Sequence, residues 1–174
     1  LHLLDCVALT GAWPVVGASL VGTIALPVAV LSAVRTIGDD DWARRVAPFL
    51  AVSPYALWMM TSADALFAAC GALSIAACLR AVGADGRVAF VWGAVSGLLL
   101  GALLFMTYGG ATFSLALVVP TIVAWRRRGS AVVPAVAGAT AVVVLVTGVF
   151  AAFGFWWLDG ARETRRQYWA GTAK

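Results

Sequence analysis

Long apolar runs separated by short polar breaks dominate the chain. Leu1 to Gly11 is a short amphipathic lead-in holding His2 and Asp5, too short to cross a bilayer. From Ala12 or Trp13 to Val34 the chain stays apolar for about the twenty residues that a hydrocarbon core requires, which predicts a first spanning helix closed by Arg35. The loop from Arg35 to Arg45 follows, with Asp39, Asp40 and Asp41, then Trp42 and Arg44-Arg45. These aspartates are expected to cap the next helix, because carboxylates adjacent on a chain point in different directions and make a poor metal cage. Val46 to Met60 reads as the second span, started or kinked by Pro48 and Pro54. Thr61-Ser62 makes a turn, and Ala63 to Leu79 is the third span, ended by Arg80.

The fourth span, Val88 to Met106, carries Gly93, Gly97 and Gly101. Small residues at every fourth position let another helix backbone come close, so this row predicts a tight helix pair. Thr107 to Gly110 breaks the pattern, with Gly109 and Gly110 expected to free the backbone for a turn. The fifth span runs from Ala111 to Trp125 through Pro120 and stops at Arg126-Arg127-Arg128; the sixth runs from Ala131 to Phe153. An aromatic cluster, Gly154 to Leu158, then leads into a polar segment from Asp159 to Lys174. The fold expected is an all-α polytopic transmembrane bundle of about six spans. Residues 1–174 form a single transmembrane module, with 159–174 as an external polar tail or the start of an external loop.

Composition agrees. Hydrophobic residues make up 63% and charged residues 11%, with a mean hydropathy of +0.96; soluble domains hold roughly 45–50% and 25%. Too few charges exist to coat a soluble surface, so the lipid bilayer is the expected partner for most of the exterior. Cys70 and Cys78 share one apolar segment and Cys6 is remote; with no C-x-x-C they read as small buried hydrophobes, and neither a zinc site nor a disulfide framework is indicated. Lys and Arg fall in alternate breaks: 35–45, 80–87 and 126–130 are basic, whereas Thr61–Asp64 and Thr107–Gly110 contain none. By the positive-inside rule the basic loops are expected in the cytoplasm of a multi-pass plasma-membrane protein, with 61–64, 107–110 and 159–174 external. The formal net charge of +4 is then a topology signal, and nucleic-acid binding is not expected.

Asp64 is the anomaly in this pattern, an ionisable group where two apolar segments meet. Such a group is costly unless it faces water, a partner or a substrate. The topology brings Asp64, Tyr108 and Arg162, Arg165 and Arg166 to one face, where a carboxylate can act as base or bind sugar hydroxyls and arginines can hold a phosphate. Each has a plainer reading. Asp64 can be a first-turn residue behind a Ser62 N-cap, an arrangement worth about 0.3–1 kcal/mol. Tyr108, with Trp13, Trp58, Trp125, Trp156 and Trp157, suits an interfacial belt, and the arginines suit a solvated helix face beside Asp159 and Glu163.

Ala47-Pro48-Phe49-Leu50-Ala51-Val52-Ser53-Pro54 through Thr61-Ser62-Ala63-Asp64-Ala65-Leu66-Phe67-Ala68 resembles the paired helices of the GT-C membrane glycosyltransferases. This superfamily includes protein O-mannosyltransferases and lipid A aminoarabinose transferases. Asp64 with Leu66 and Phe67 matches the pattern that opens the helix after the family's second external turn. Gly97-Leu98-Leu99-Leu100-Gly101-Ala102-Leu103-Leu104-Phe105-Met106-Thr107-Tyr108-Gly109 is similar to the family's "GLLLGLALLTKG" helix end, with Tyr108 where the family commonly has Lys.

The resemblance implies transfer of a sugar from a polyprenyl-phosphate-linked donor to an acceptor on the outer face, by displacement at the anomeric carbon. Asp64 would line the site, and Tyr108, Arg162, Arg165 and Arg166 would bind substrate. It also implies that the principal catalytic acid lies before residue 1, in the remainder of the same polypeptide, of which this chain would be an internal piece. No cofactor is indicated. A non-catalytic membrane scaffold or transporter component is the alternative. A scaffold would need only the glycine row, and a transporter would be expected to hold acids or His near the midplane.

Overall fold

A computed structural model describes residues 13–53 and 62–172. The lead-in with His2, Asp5 and Cys6, most of the apolar ascent to Thr61, including Trp58, and Lys174 lie outside the described residues. The described residues form seven α-helices in order: α1 Trp13–Ile37, α2 Asp40–Ala51, α3 Asp64–Gly83, α4 Gly86–Met106, α5 Ala111–Arg128, α6 Val133–Ala152 and α7 Trp157–Thr172. The described residues contain no strand, so the all-α expectation holds. Among the described residues four helical stretches are long and apolar enough to cross a membrane: Trp13–Ile37, Asp64–Gly83, Gly86–Met106 and Tyr108–Ala152. The last, 45 residues long, comprises α5 and α6 and reverses at Gly129, whose φ of 57° is the left-handed geometry that favours glycine.

The second expected span differs. Its helix begins at Asp40, ahead of Val46, and ends at Ala51; residues 54–60 lie outside the described set. The start is set by Asp39, whose carboxylate accepts the Trp42 N–H at 2.8 Å as an N-cap. Its neighbours turn elsewhere, Asp40 to Arg35 at 2.9 Å and Asp41 to Arg44 at 3.3 Å. The described part is therefore a 12-residue amphipathic helix.

Pair contacts give the helix directions. Gly22 of α1 lies against Ala65 and Leu66 of α3, and further along both helices Arg80 Nη2 donates to Ser32 Oγ at 2.7 Å. α1 and α3 therefore run parallel, and the connection between Ile37 and Asp64 returns the chain from one end of the bundle to the other. α3 and α4 form an antiparallel hairpin. At its middle, buried Ser74 and Ser96 each donate to the other's backbone carbonyl at 2.9 Å. α5 runs parallel to α3, with Phe113 over Gly71 and Thr121 facing Cys78.

The glycine row has its partner in α6. A Cβ on Gly93 would meet the backbone of Ala135, one on Gly97 that of Ala139, and Gly101 faces Val146; in return, Gly138 of α6 presses on the Phe90 carbonyl. The ascending pairs make α4 and α6 parallel, with α5 as the return between them. The core is correspondingly built of small residues, among them Ala81, Ala89, Ala124 and Ala135 with Cys78, Val82 and Val132. Lipid tails are as apolar as the side chains, so close backbone approach and dispersion replace the hydrophobic effect as the source of cohesion.

Two consequences follow for the ends. One carries every basic loop: Arg80 bridges to Ser32 and stacks on Trp92 at 4.8 Å, and Arg128 reaches the carbonyls of Val82 and Ala84 and the Asp85 carboxylate. Arg128 thereby satisfies carbonyls at the end of α3 that have no helical donor. The other end carries Asp64 and the 3-10 turn Tyr108–Gly110. That turn does not use the conformational freedom of glycine. Gly110 has φ −57°, and its lack of a side chain matters because a Cβ would lie 2.8 Å from Leu103 Cγ.

Candidate substrate site at the Asp64 end

Asp64 is the first residue of α3, as the first-turn reading requires, but Ser62 is not its cap. The N-cap position is Ala63, in helical geometry and without a side-chain hydrogen bond; its carbonyl accepts the N–H groups of Leu66 and Phe67. What fixes the start of α3 is packing. Ala65 is fully buried where Gly22 of α1 touches the α3 backbone. Asp64, one position earlier, is exposed and has no hydrogen-bond or ion-pair partner among the described residues.

The level of Asp64 follows from the α3–α5 register. Gly71 meets Phe113 and Cys78 meets Thr121, which brings the start of α5 to the Asp64 end, and in the α3–α4 hairpin Ser74 pairs with Ser96, so ten residues back along α3 and ten on along α4 set Asp64 at the height of Met106, where α4 ends before the Tyr108 turn. Tyr108 is half-buried, edge-on to Trp157 with ring centroids 5.5 Å apart. Trp157 Nε1 donates to the Leu104 carbonyl at 2.7 Å, supplying a donor to the last turn of α4. Gly160 sits directly against the Tyr108 hydroxyl, leaving no room for a Cβ. Phe105 stacks on Phe150 at 4.0 Å, and Phe155 closes the group. These contacts join the start of α7 to the ends of α4 and α6, beside an open apolar pocket of about 280 Å³ lined by Leu104, Phe105, Thr147, Trp156, Trp157 and Leu158.

The polar segment from Asp159 onward is helical, and from Arg162 to Gly171 its residues are exposed. Arg162 pairs with Asp159 at 3.2 Å and Arg166 with Glu163 at 3.3 Å, both within the helix and open to solvent; such pairs are weak and exchange readily. Arg165 has no partner among the described residues. No hydrogen bond or ion pair joins the three arginines to Asp64 or Tyr108 among the described residues. They share an end of the molecule with Asp64 without forming a preassembled cluster.

Sequence reasoning treated the aromatic group as a belt and did not pair Phe105 and Phe150 with Phe155, nor Trp157 with Tyr108. The available signal was their common position at helix ends, which becomes a contact only once α4 and α6 are parallel. The pocket offers an apolar surface with an indole N–H already committed. Asp64, with no partner among the described residues, lies at the same end of the bundle, and arginines are carried on a helix tethered at its start. That set can hold an apolar chain and present a carboxylate to hydroxyls; among the described residues no three His, Cys, Asp or Glu gather as a metal site. No family model, curated protein or solved structure matches the chain.

Proposed function

We propose that the chain is part of a membrane glycosyltransferase of GT-C type that uses a polyprenyl-phosphate-linked sugar at the Asp64 end. The observation that carries the reading is Asp64 itself: an exposed carboxylate with no partner among the described residues, at the start of the central helix and level with the Tyr108 turn. In a bundle this apolar, a boundary carboxylate with no partner among the described residues can serve a polar ligand. In this reading the arginine end faces the cytoplasm and the Asp64 end faces outward. The aromatic pocket takes the first isoprene units of the donor, and Arg165, with Arg162 and Arg166 released from their weak pairs, holds the phosphate. Tyr108 contributes at the edge of the donor site through its contact with Trp157.

The acceptor hydroxyl oxygen forms the new bond to the anomeric carbon. The bond from that carbon to the phosphate oxygen breaks, and polyprenyl phosphate leaves with the electron pair. The hydroxyl proton passes to a carboxylate, for which Asp64 stands ready at this end. The test is retention of a photoreactive polyprenyl-phosphate sugar by the chain in nanodiscs. Asp64→Asn is expected to weaken labelling by more than about tenfold and Arg165→Gln by about fivefold, taking a charged hydrogen bond at about 1.5–3 kcal/mol and a surface cation at about 1. Labelling unchanged in both variants would refute the reading.

A second reading, a membrane scaffold, is favoured by the α4–α6 pair, whose backbones meet at Gly93, Gly97 and Gly138 with no polar purpose. It predicts no donor labelling at all.

A further inference from the structure

An open cavity lies at the arginine end, away from the proposed donor site. It is a groove of about 520 Å³ between the C-terminal halves of α1, α3 and α5. Its walls are apolar, with Ile75 and Leu79 from α3 and Val119 and Val123 from α5, and its mouth carries Arg127 and Arg128. The two arginines differ. Arg128 is committed to the Val82 and Ala84 carbonyls and to Asp85, whereas Arg127 is exposed and has no partner among the described residues.

Charge at this end is unbalanced. Arg35, Arg44, Arg45, Arg80, Arg87 and Arg126 to Arg128 stand against Asp39, Asp40, Asp41 and Asp85, eight against four, so the whole formal charge of +4 sits here. The remaining charges of the chain cancel. α2 sets the depth of this end. Trp42 and Phe49, seven residues apart on one helical face, are both exposed, while Asp40, Asp41 and Arg44 occupy the other sides. A helix so divided lies in the headgroup region with its apolar face toward the acyl chains. It adjoins Ile37, which also lines the groove.

We propose that this groove binds one anionic phospholipid, an acyl chain lying along Ile75, Leu79, Val119 and Val123 and the phosphate held by Arg127. An additional apolar helix in the groove would leave Arg127 without an anion; a lipid supplies both the chain and the charge that the lining asks for. The proposal does not depend on the glycosyltransferase reading.

The test is native mass spectrometry of the delipidated 174-residue chain titrated with dioleoyl phosphatidylglycerol or dioleoyl phosphatidylcholine. One phosphatidylglycerol is expected to bind at least fivefold more tightly than phosphatidylcholine. Arg127→Gln should abolish that preference, since a cation near the headgroups is worth about fivefold in affinity. Arg126→Gln, one residue away and outside the groove lining, should leave most of it. Val119→Trp, which fills the groove from an exposed position on α5, should reduce binding of either lipid with Arg127 intact. Equal losses from Arg126→Gln and Arg127→Gln would mean diffuse surface attraction and overturn the proposal. So would full binding by Val119→Trp, which would mean annular contact.

Discussion

α4 and α6 meet backbone to backbone, and Gly97→Ala measures that contact. A Cβ at Gly97 would lie 2.8 Å from the Ala139 Cα and 2.9 Å from its carbonyl carbon, and closer still to the carbonyl oxygen, where ordinary contact begins at 3.4 Å. Restoring contact to the Cα alone takes a 0.6 Å shift, and the obstacle is backbone, so no side chain can swing aside. Overpacking of this kind costs about 1–3 kcal/mol. Separating the helices also weakens the neighbouring contacts at Gly93 and Gly138, because dispersion falls steeply with distance.

Alanine in a helix is itself worth up to about 1 kcal/mol over glycine, which would mask part of the loss. Gly148→Ala removes the ambiguity. Gly148 lies in α6, and a Cβ there meets nothing within 4 Å. The intrinsic gain is common to both variants, so their difference isolates the overpacking cost, about 1–3 kcal/mol. The assay is reversible unfolding in mixed micelles of increasing dodecyl sulfate fraction, followed by near-ultraviolet circular dichroism. Gly148→Ala should match or exceed the wild type and Gly97→Ala should fall below Gly148→Ala by that margin. Equal stability of the two would show that α4 and α6 are not in backbone contact.

Two further outcomes follow from single contacts. Ser74→Ala and Ser96→Ala should each lose about 0.5–1.5 kcal/mol in the same titration. Each hydroxyl donates to the other residue's backbone carbonyl, and the two oxygens also lie 3.2 Å apart, so the double variant should depart from the sum by at least about 0.5 kcal/mol; simple additivity would mean that the two serines act independently. Trp157→Phe keeps the ring beside Tyr108 but removes the donor to Leu104. Amide exchange over the first turns of α7 should then rise roughly fivefold, the equivalent of about 1 kcal/mol, and unchanged exchange would place the anchor of α7 elsewhere.

The sequence by itself determined which segments prefer lipid and where several of them end. α1, α3, α4, α5 and α6 fall close to the expected spans, because transfer into hydrocarbon is a property each residue carries with it and sums along a run. Asp39 as a cap and the glycine row as a contact surface were legible for the same local reason. Asp64 stood out as a charge at a boundary, and it does lie at a helix start without a partner among the described residues.

The tertiary structure decided what each surface meets. The glycine row is compatible with any apolar helix of small residues, and only the three-dimensional arrangement selects α6, two helices onward and parallel. Ser62 has the right chemistry for a cap, but the start of α3 is set by Gly22 pressing on Ala65, a residue forty-three positions away. Gly110 looked like a turn residue and is instead a clearance beneath Leu103. The aromatic group at the Asp64 end exists because α4 and α6 finish side by side. One-residue transfer energies are additive and visible along the chain. Pair contacts depend on which helices become neighbours, and that choice is made jointly by the whole bundle.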